Sequence, residues 1–351
     1  MRKYCEENER IKRRYLRYIK EAKRQDVKSV DKAAAAIFRF EESTGFKPFK
    51  KFHIEQAIAF KRKLEAAKNE RTGKPLSKAT VDATLRLVKA FIHWLAGQSG
   101  YKSRISYDDA EYFNNSAKDA RIAHAQREAP FPTMAQLAHA FAAMPNETQI
   151  QRRDKALFAF LVLTGARVQA TASLRLKRID LVEGCVYQDA RDVQTKGAKT
   201  FQTYFLPVDP AYLACFTDWV NYLRNGLLFG HEDALFSKPK MGCSDEGGFA
   251  VIGLSRDNWS NGTKIRDIIK TAFTTSGLPA FGPHSFRKTL VKFGVETCQT
   301  PEVFKAWSLN MGHDSVVTTL SAYCPISINR QKELIQGMAP NPTLQKVAES
   351  R

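Results

Sequence analysis

The sequence predicts a mainly α-helical protein in two parts, an all-helical first domain and an α+β second domain with a small antiparallel β-sheet. Three observations carry that expectation. At 351 residues the chain exceeds the usual reach of one hydrophobic core. Apolar residues recur at helical spacing from Glu6 to about Gly97. Only after a polar stretch does the period turn extended, in "CVYQDARDVQTKGAKTFQTYFLPV", two β-rich runs about a Lys-Gly-Ala-Lys turn that read as a hairpin.

The first domain is expected to hold helices near residues 6–24, 28–44, 53–68 and 77–97. Ser29 stands where a cap would open "SVDKAAAAIFRF", and Ser77 and Gly97 bracket the last helix as start and stop signals. Residues 101–132 turn polar and end on two prolines, Pro130 and Pro132. The expected organisation is therefore a helical domain over 1–112, a linker over 113–132, a second domain over 133–335 and a tail over 336–351. In the second domain Thr133 caps "TMAQLAHAFAAMP", and a helix runs through "DKALFAFLVLTGARVQATASL" before the hairpin. Helices return from Ala211, and the Gly- and Ser-rich "KPKMGCSDEGGFAVIGLSRDNWSNG" reads as a long loop near 238–262.

The chain is 43% hydrophobic and 11% aromatic, enough for packed cores. Its formal charge of +19 comes from Lys and Arg spread along the whole length, a pattern suited to gripping a polyanion, foremost nucleic acid, over a wide surface. An anionic membrane is the rival, but the longest apolar run, Ala156 to Leu163, is far too short to span a bilayer. The first residues, "MRKYCEENERIKRRYLRYIK", carry charge where a secretory signal needs its apolar centre, so a cytoplasmic location is expected. Six cysteines show no CxxC spacing and read as reduced thiols, neither a zinc site nor a disulfide framework.

In "GPHSFRKTL", Pro283 suits the first position of a helix with Gly282 before it. Phe286, Leu290 and Phe293 share one face, and His284 and Arg287 share another, left over from the core. Helix N-termini favour anions, yet a lone HxxR reads more simply as a polar helix face. Other segments raise the weight of the pair. "LTGARVQATASL" puts Arg167 just after Thr164-Gly165, at a bend between helical runs. Lys196 lies at the hairpin turn, and "MGHDSVVTTLSAYCP" places His313 beside Gly312 and Tyr323 on a short helix that Pro325 ends. Taken singly, each reads as a solvated or turn residue.

Taken in order, "TGAR", "TKGAK", "HSFR" and "GHDSVVTT" followed by a tyrosine resemble the motifs of the tyrosine recombinases, the phage integrase family, over about residues 131–335. The resemblance implies that Tyr323 attacks a scissile phosphate and becomes joined to the 3′ phosphate, releasing a 5′ hydroxyl. A phenol with a pKa near 10 needs help to attack at neutral pH. Arg167 and Arg287 would neutralise the phosphate oxygens in the transition state, His284 would serve in proton transfer, Lys196 would protonate the leaving 5′ oxygen, and His313 would hydrogen-bond to a phosphate oxygen. Lys199 competes with Lys196, which is preferred as the first lysine of the Lys-Gly-x-Lys pattern. The resemblance implies no cofactor, ATP or metal, because the phosphotyrosine conserves the bond energy. The chain correspondingly lacks a P-loop and a carboxylate cluster for two metal ions.

Two departures stand out. Ala170 occupies a position where many relatives carry an acidic residue, and the step from His313 to Tyr323 is ten residues, one more than in many relatives. The family also implies that the helical domain closes over the opposite face of the duplex, so that the two domains form a clamp around double-stranded DNA recombination sites. A helix in "PISINRQKELIQGMA" docking on a neighbouring protomer would serve a homotetramer on synapsed DNA, with accessory DNA-bending proteins and association with the nucleoid. Within the same chemistry a type IB topoisomerase-like relaxing enzyme is the alternative. Outside it stands a catalytically silent DNA-binding regulator of the same fold, which would have no reason to keep a nucleophile. An RNA-binding protein finds no support in RRM or KH signatures.

Overall fold

The structure, a computed structural model, describes residues 4–70, 72–125, 130–243, 247–313 and 315–323, with residues 331, 333, 335 and 336; the side chains of residues 196, 318 and 321–323 lie outside the description. The chain divides into two compact units, Met1–Arg127 and Glu128–Arg351.

The first unit is all helical: α1 (Glu6–Arg17), continued by a π-helical turn over Tyr18–Ala22, α2 (Val27–Ser43), α3 (Ile54–Ala66), α4 (Lys78–Ala96) and α5 (Ala117–His124). Each of the first four buries one apolar stripe, and Ile11, Tyr15 and Ile19 show the spacing that makes it, one residue per turn. The stripes meet in an aromatic cluster, where Phe40 lies edge-on to Phe60 and Phe113 with ring centroids 5.3 Å apart in both cases. Ser77 caps α4 as expected, but α2 starts earlier than its sequence suggested. Its cap is Asp26, whose carboxylate accepts from the Ser29 N–H at 2.9 Å and from the Ser29 hydroxyl at 3.0 Å. A carboxylate opening a helix also meets the positive end of the dipole, an advantage a serine lacks. Residues 117–124, inside the expected linker, form α5, capped by Ser116 and tied to α4 by the Lys78–Asp119 ion pair at 2.9 Å.

The second unit is built around α7 (Gln149–Thr164), which follows α6 (Met134–Ala143). Both open with a reciprocal capping box, Thr133 with Gln136 and Thr148 with Gln151. From Ala156 to Thr164 every residue of α7 is buried, so this helix is enclosed on all sides rather than on one stripe. Phe158 packs on Phe286 and Phe160 on Phe216, with centroids 4.9 and 5.2 Å apart. Burying each such ring is worth about 1.5–3 kcal/mol. After the short α8 (Val168–Ser173) come three antiparallel strands in the order β1 (Ile179–Asp180), β2 (Cys185–Gln188) and β3 (Phe201–Tyr204), with Val186 opposite Thr203. The β2–β3 pair is the expected hairpin, its connection carrying a tight turn at Lys196–Ala198.

Next come α9 (Pro210–Asn221), packed on α7, and a second hairpin, β4 (Pro239–Cys243) and β5 (Phe249–Leu254). This hairpin corrects the reading of residues 238–262 as one long loop. The glycines suggested irregular chain, but "FAVIGL" supplies β-branched residues, and an irregular register between Lys240 and Met241 lets the strands pair. Its base is held to α7 by Arg153, which donates to the Ser237 carbonyl at 2.9 Å and stacks over Trp259 at 5.1 Å. Then follow α10 (Thr263–Thr275), α11 (Pro283–Thr297), α12 (Pro301–Asn310) and α13 (Val316–Tyr323). The Trp307 indole donates to the Leu290 carbonyl at 3.2 Å and fixes α12 on α11. The helix expected in "PISINRQKELIQGMA" falls for the most part outside the described residues. No helix among the described residues is long and apolar enough to cross a membrane.

Candidate active site

The site begins where α7 stops. Gly165 takes a left-handed conformation, φ 57°, and a Cβ on it would lie 3.0 Å from the Met311 Cε and 3.2 Å from a Leu290 methyl. Both the backbone angle and the close approach call for glycine here. The turn is braced by the Thr164 hydroxyl, which donates to the Phe160 carbonyl at 2.6 Å and accepts from the Ala166 N–H at 3.1 Å. It delivers Arg167, half-buried and extended in backbone, to the N-cap position of α8. Ala170, three positions after Arg167, is buried in the core at 1% exposure.

Arg287 corrects one expectation. Its helix starts as predicted, with Gly282 as cap and Pro283 in the first turn, but Arg287 does not share an open polar face with His284. His284 is exposed, whereas Arg287 is buried at 2% exposure. The guanidinium is drawn inward by acceptors from two other segments. It donates to the Gly165 carbonyl, to the Met311 carbonyl at 2.7 Å, and meets the His313 Nε2 at 2.7 Å. One side chain thereby joins the end of α7, the first turns of α11 and the turn after α12.

His313, 5% exposed, follows Gly312, another left-handed residue (φ 69°) whose missing Cβ admits the Phe201 ring, 2.6 Å from where that Cβ would be. Its other ring nitrogen, Nδ1, lies 2.7 Å from the Thr319 hydroxyl on α13. That hydroxyl in turn lies 2.5 Å from the hydroxyl of Ser308 on α12. Asn310, the last residue of α12, binds the edge of β3 like an added strand, accepting from the Tyr204 N–H at 2.7 Å and donating to the Tyr204 carbonyl at 2.9 Å. The Asn310 carbonyl also accepts from the Thr203 hydroxyl at 2.9 Å. The hairpin that presents the two candidate lysines is thus clamped to the segment that presents His313.

An open cleft of about 740 Å³ lies along this seam, with Lys199, Phe201 and Tyr204 on one side and Leu309, Asn310 and His313 on the other. Lys196 occupies the tight turn between β2 and β3, with Gly197 left-handed beside it, and its side chain is outside the description. Tyr323 ends α13, and its side chain is likewise outside the description. The geometry therefore brings Arg167, Arg287 and His313 to adjoining chain segments, leaves His284 at the exposed start of α11, and adds Thr319, Ser308 and Asn310, which the motifs had not singled out. Among the described residues no three His, Cys, Asp or Glu side chains are placed to share a metal ion.

The comparisons with known proteins fit this arrangement. Residues 133–326 match the phage integrase family, and the chain belongs to that family. No curated protein sequence matches it. Among solved structures it is similar to the Tn1549 transposon integrase in complex with transposon right end DNA, at 15% identity and a TM-score of 0.59, covering 94% of this chain and 99% of that one. It is similar to a lambda integrase dimer bound to a COC′ core site, at 12% identity and a TM-score of 0.59, covering 90% and 94%. It is also similar to the XerH site-specific recombinase bound to difH substrate, at 14% identity and a TM-score of 0.55, covering 95% and 85%. At these identities the likeness is one of fold: an all-helical region followed by a mixed α/β region with small antiparallel sheets.

Proposed function

We propose that this protein is a site-specific DNA recombinase that integrates or excises a mobile element by cutting and rejoining DNA through a 3′-phosphotyrosine. The observation that carries the reading is the Arg287 hub, which joins the segments of "TGAR", "HSFR" and "MGH" although they lie far apart in the chain. A buried cation at such a meeting of motifs suits an anionic centre.

In the proposed reaction the Tyr323 oxygen attacks the phosphorus, the bond from phosphorus to the 5′ oxygen breaks, and the tyrosine stays esterified to the 3′ phosphate. His284 takes part in moving the phenol proton, and Lys196 gives a proton to the departing 5′ oxygen. Arg167 and Arg287 stabilise the charge on the non-bridging oxygens, and His313 adds a hydrogen bond. Attack by a 5′ hydroxyl of a partner strand on the phosphotyrosine reverses the bond changes and frees Tyr323. The helical unit supplies phosphate contacts through its Lys and Arg, so binding is salt-dependent. The DNA in the structures it resembles supports duplex DNA as the partner, and a homotetramer on paired sites is the assembly this chemistry asks for.

The test is to incubate the purified protein with supercoiled DNA from its own genomic neighbourhood, without metal or ATP, and trap with detergent. A covalent adduct in wild type that is absent in Tyr323→Phe is expected. Tight, salt-sensitive binding with no adduct on any candidate DNA would favour a silent regulator of the same fold.

A further inference from the structure

The two hydrogen bonds of the His313 ring favour one tautomer of its neutral form, and they point to a residue with no role so far. A guanidinium has only donors, so at the 2.7 Å contact with Arg287 the Nε2 of a neutral ring must be the acceptor. The ring proton then sits on Nδ1 and is donated to the Thr319 hydroxyl at 2.7 Å. The Thr319 hydroxyl also shares a hydrogen bond with the Ser308 hydroxyl, in which either can be the donor. Thr319 and Ser308 are both 0% exposed, so each hydroxyl depends on these partners. Thr319 also lies on α13, one helical turn before Tyr323, at i and i+4 on one face of that helix.

We infer that Thr319 is the positioning residue of this site: it sets which nitrogen of His313 carries the proton and ties that ring to the helix of the nucleophile, a role that rests on the recombinase reading above. A hydroxyl both accepts and donates. It therefore holds Nδ1 in the present state, where Nε2 accepts from Arg287, and also in the state a phosphate requires. In that second state Nε2 bears the proton and donates to a phosphate oxygen, while a bare Nδ1 accepts from Thr319. Valine at this position could satisfy neither state, and serine could satisfy both.

The experiment compares wild type, Thr319→Val, Thr319→Ser and Ser308→Ala on a DNA substrate that forms adduct in wild type. It measures single-turnover adduct rate, DNA affinity and thermal unfolding. In parallel, nitrogen-15 NMR of histidine-labelled, DNA-free protein reads the His313 tautomer, the signal being assigned with His313→Gln. Thr319→Val is expected to slow adduct formation about tenfold to a hundredfold, the scale of losing a neutral orienting partner of a working histidine. Its DNA affinity should stay within about twofold, and the His313 proton should no longer reside on Nδ1 alone. Thr319→Ser should restore both rate and tautomer, and Ser308→Ala should fall between. A Thr319→Val protein that cleaves at the wild-type rate, a serine variant as slow as the valine, or slower cleavage with unchanged His313 signals would overturn the inference. If wild type forms no adduct with any DNA, the recombinase reading falls, whereas the tautomer measurement still judges the hydrogen bond by itself.

Discussion

Lys12 in the helical unit and Arg287 in the second unit are both buried cations, at 9% and 2% exposure, and they are held in opposite ways. Lys12 meets carboxylates, bonding to Glu41 and pairing with Glu9. Burial works against its charged form, but the hydrogen bonds and charges of Glu41 and Glu9 outweigh it, and its pKa is raised. Arg153 follows the same pattern, with Asp154 at 2.7 Å. Arg287 instead meets two carbonyl oxygens and an imidazole nitrogen. The Lys12 pair serves the fold of its own unit, whereas the recombinase reading proposed above puts a phosphate where the Arg287 fork joins three motif-bearing segments.

The comparison breaks first, and with the largest effect, at Arg287. Arg287→Lys keeps the charge but loses the planar fork that reaches two acceptors at once. Adduct formation is expected to fall by about a hundredfold to a thousandfold, with DNA affinity changed only a few-fold. Near wild-type cleavage by this variant would mean that charge alone, and not the fork that joins the three segments, is what the site needs.

At Lys12 the expected loss is in stability. Burial pushes the Glu41 carboxyl up, so its ionised form leans on Lys12. Lys12→Met should destabilise the helical unit by about 3 kcal/mol, the scale of leaving one partner of a buried pair alone. The sign with pH follows from the direction of the Glu41 shift. A carboxyl with a raised folded-state pKa favours folding when protonated and loses that advantage as pH rises through the pKa. The variant should therefore regain stability as pH is lowered from neutral, and Lys12→Met with Glu41→Leu should recover most of it at neutral pH. A denaturation series at three pH values checks both, and adduct rates of the folded variant should match wild type.

Gly165→Ala sharpens the comparison from the acceptor side, because it disturbs one carbonyl that holds Arg287. The φ of 57° and the 3.0 Å approach of Met311 make the substitution cost about 1–3 kcal/mol. Cleavage should fall more than affinity, since Arg167 is only two residues further on.

What was legible in the sequence and what was not divides by chain distance. Ser77 and Thr133 mark their helix starts through bonds to residues within a turn, Pro283 marks its own through its fixed φ, and the β2–β3 hairpin shows in its alternation. The order of the motifs was readable because each is local. Arg287 looked like a surface residue because its acceptor at Gly165 lies 122 positions away. Asn310 was silent for the same reason, its β3 partner being 106 positions distant. Thr319 is only six residues from His313, yet nothing in a Thr-Thr pair distinguishes a hydroxyl facing a histidine from one facing solvent. The β4–β5 hairpin was hidden by glycines that a loop and a bulged hairpin share.

The smallest effect expected is an acid limit on the second unit, and it extends the comparison to carboxylates. Glu41 is pushed up by burial, whereas Asp189, in the β2–β3 connection, is held well below the usual carboxylate range by hydrogen bonds from Arg191 and the charge of Arg178. Asp192 is also lowered, since hydrogen bonds from Arg178 and Lys177 outweigh its burial. A depressed carboxylate contributes stability that is present above its unfolded value, near 4, and is lost as pH falls toward the folded one. The β2–β3 connection should therefore loosen below about pH 4, the opposite direction from Glu41. Asp189→Asn should flatten this limb in acid denaturation followed by hydrogen exchange of residues 185–204. An unchanged limb would move the acid sensitivity elsewhere in the unit.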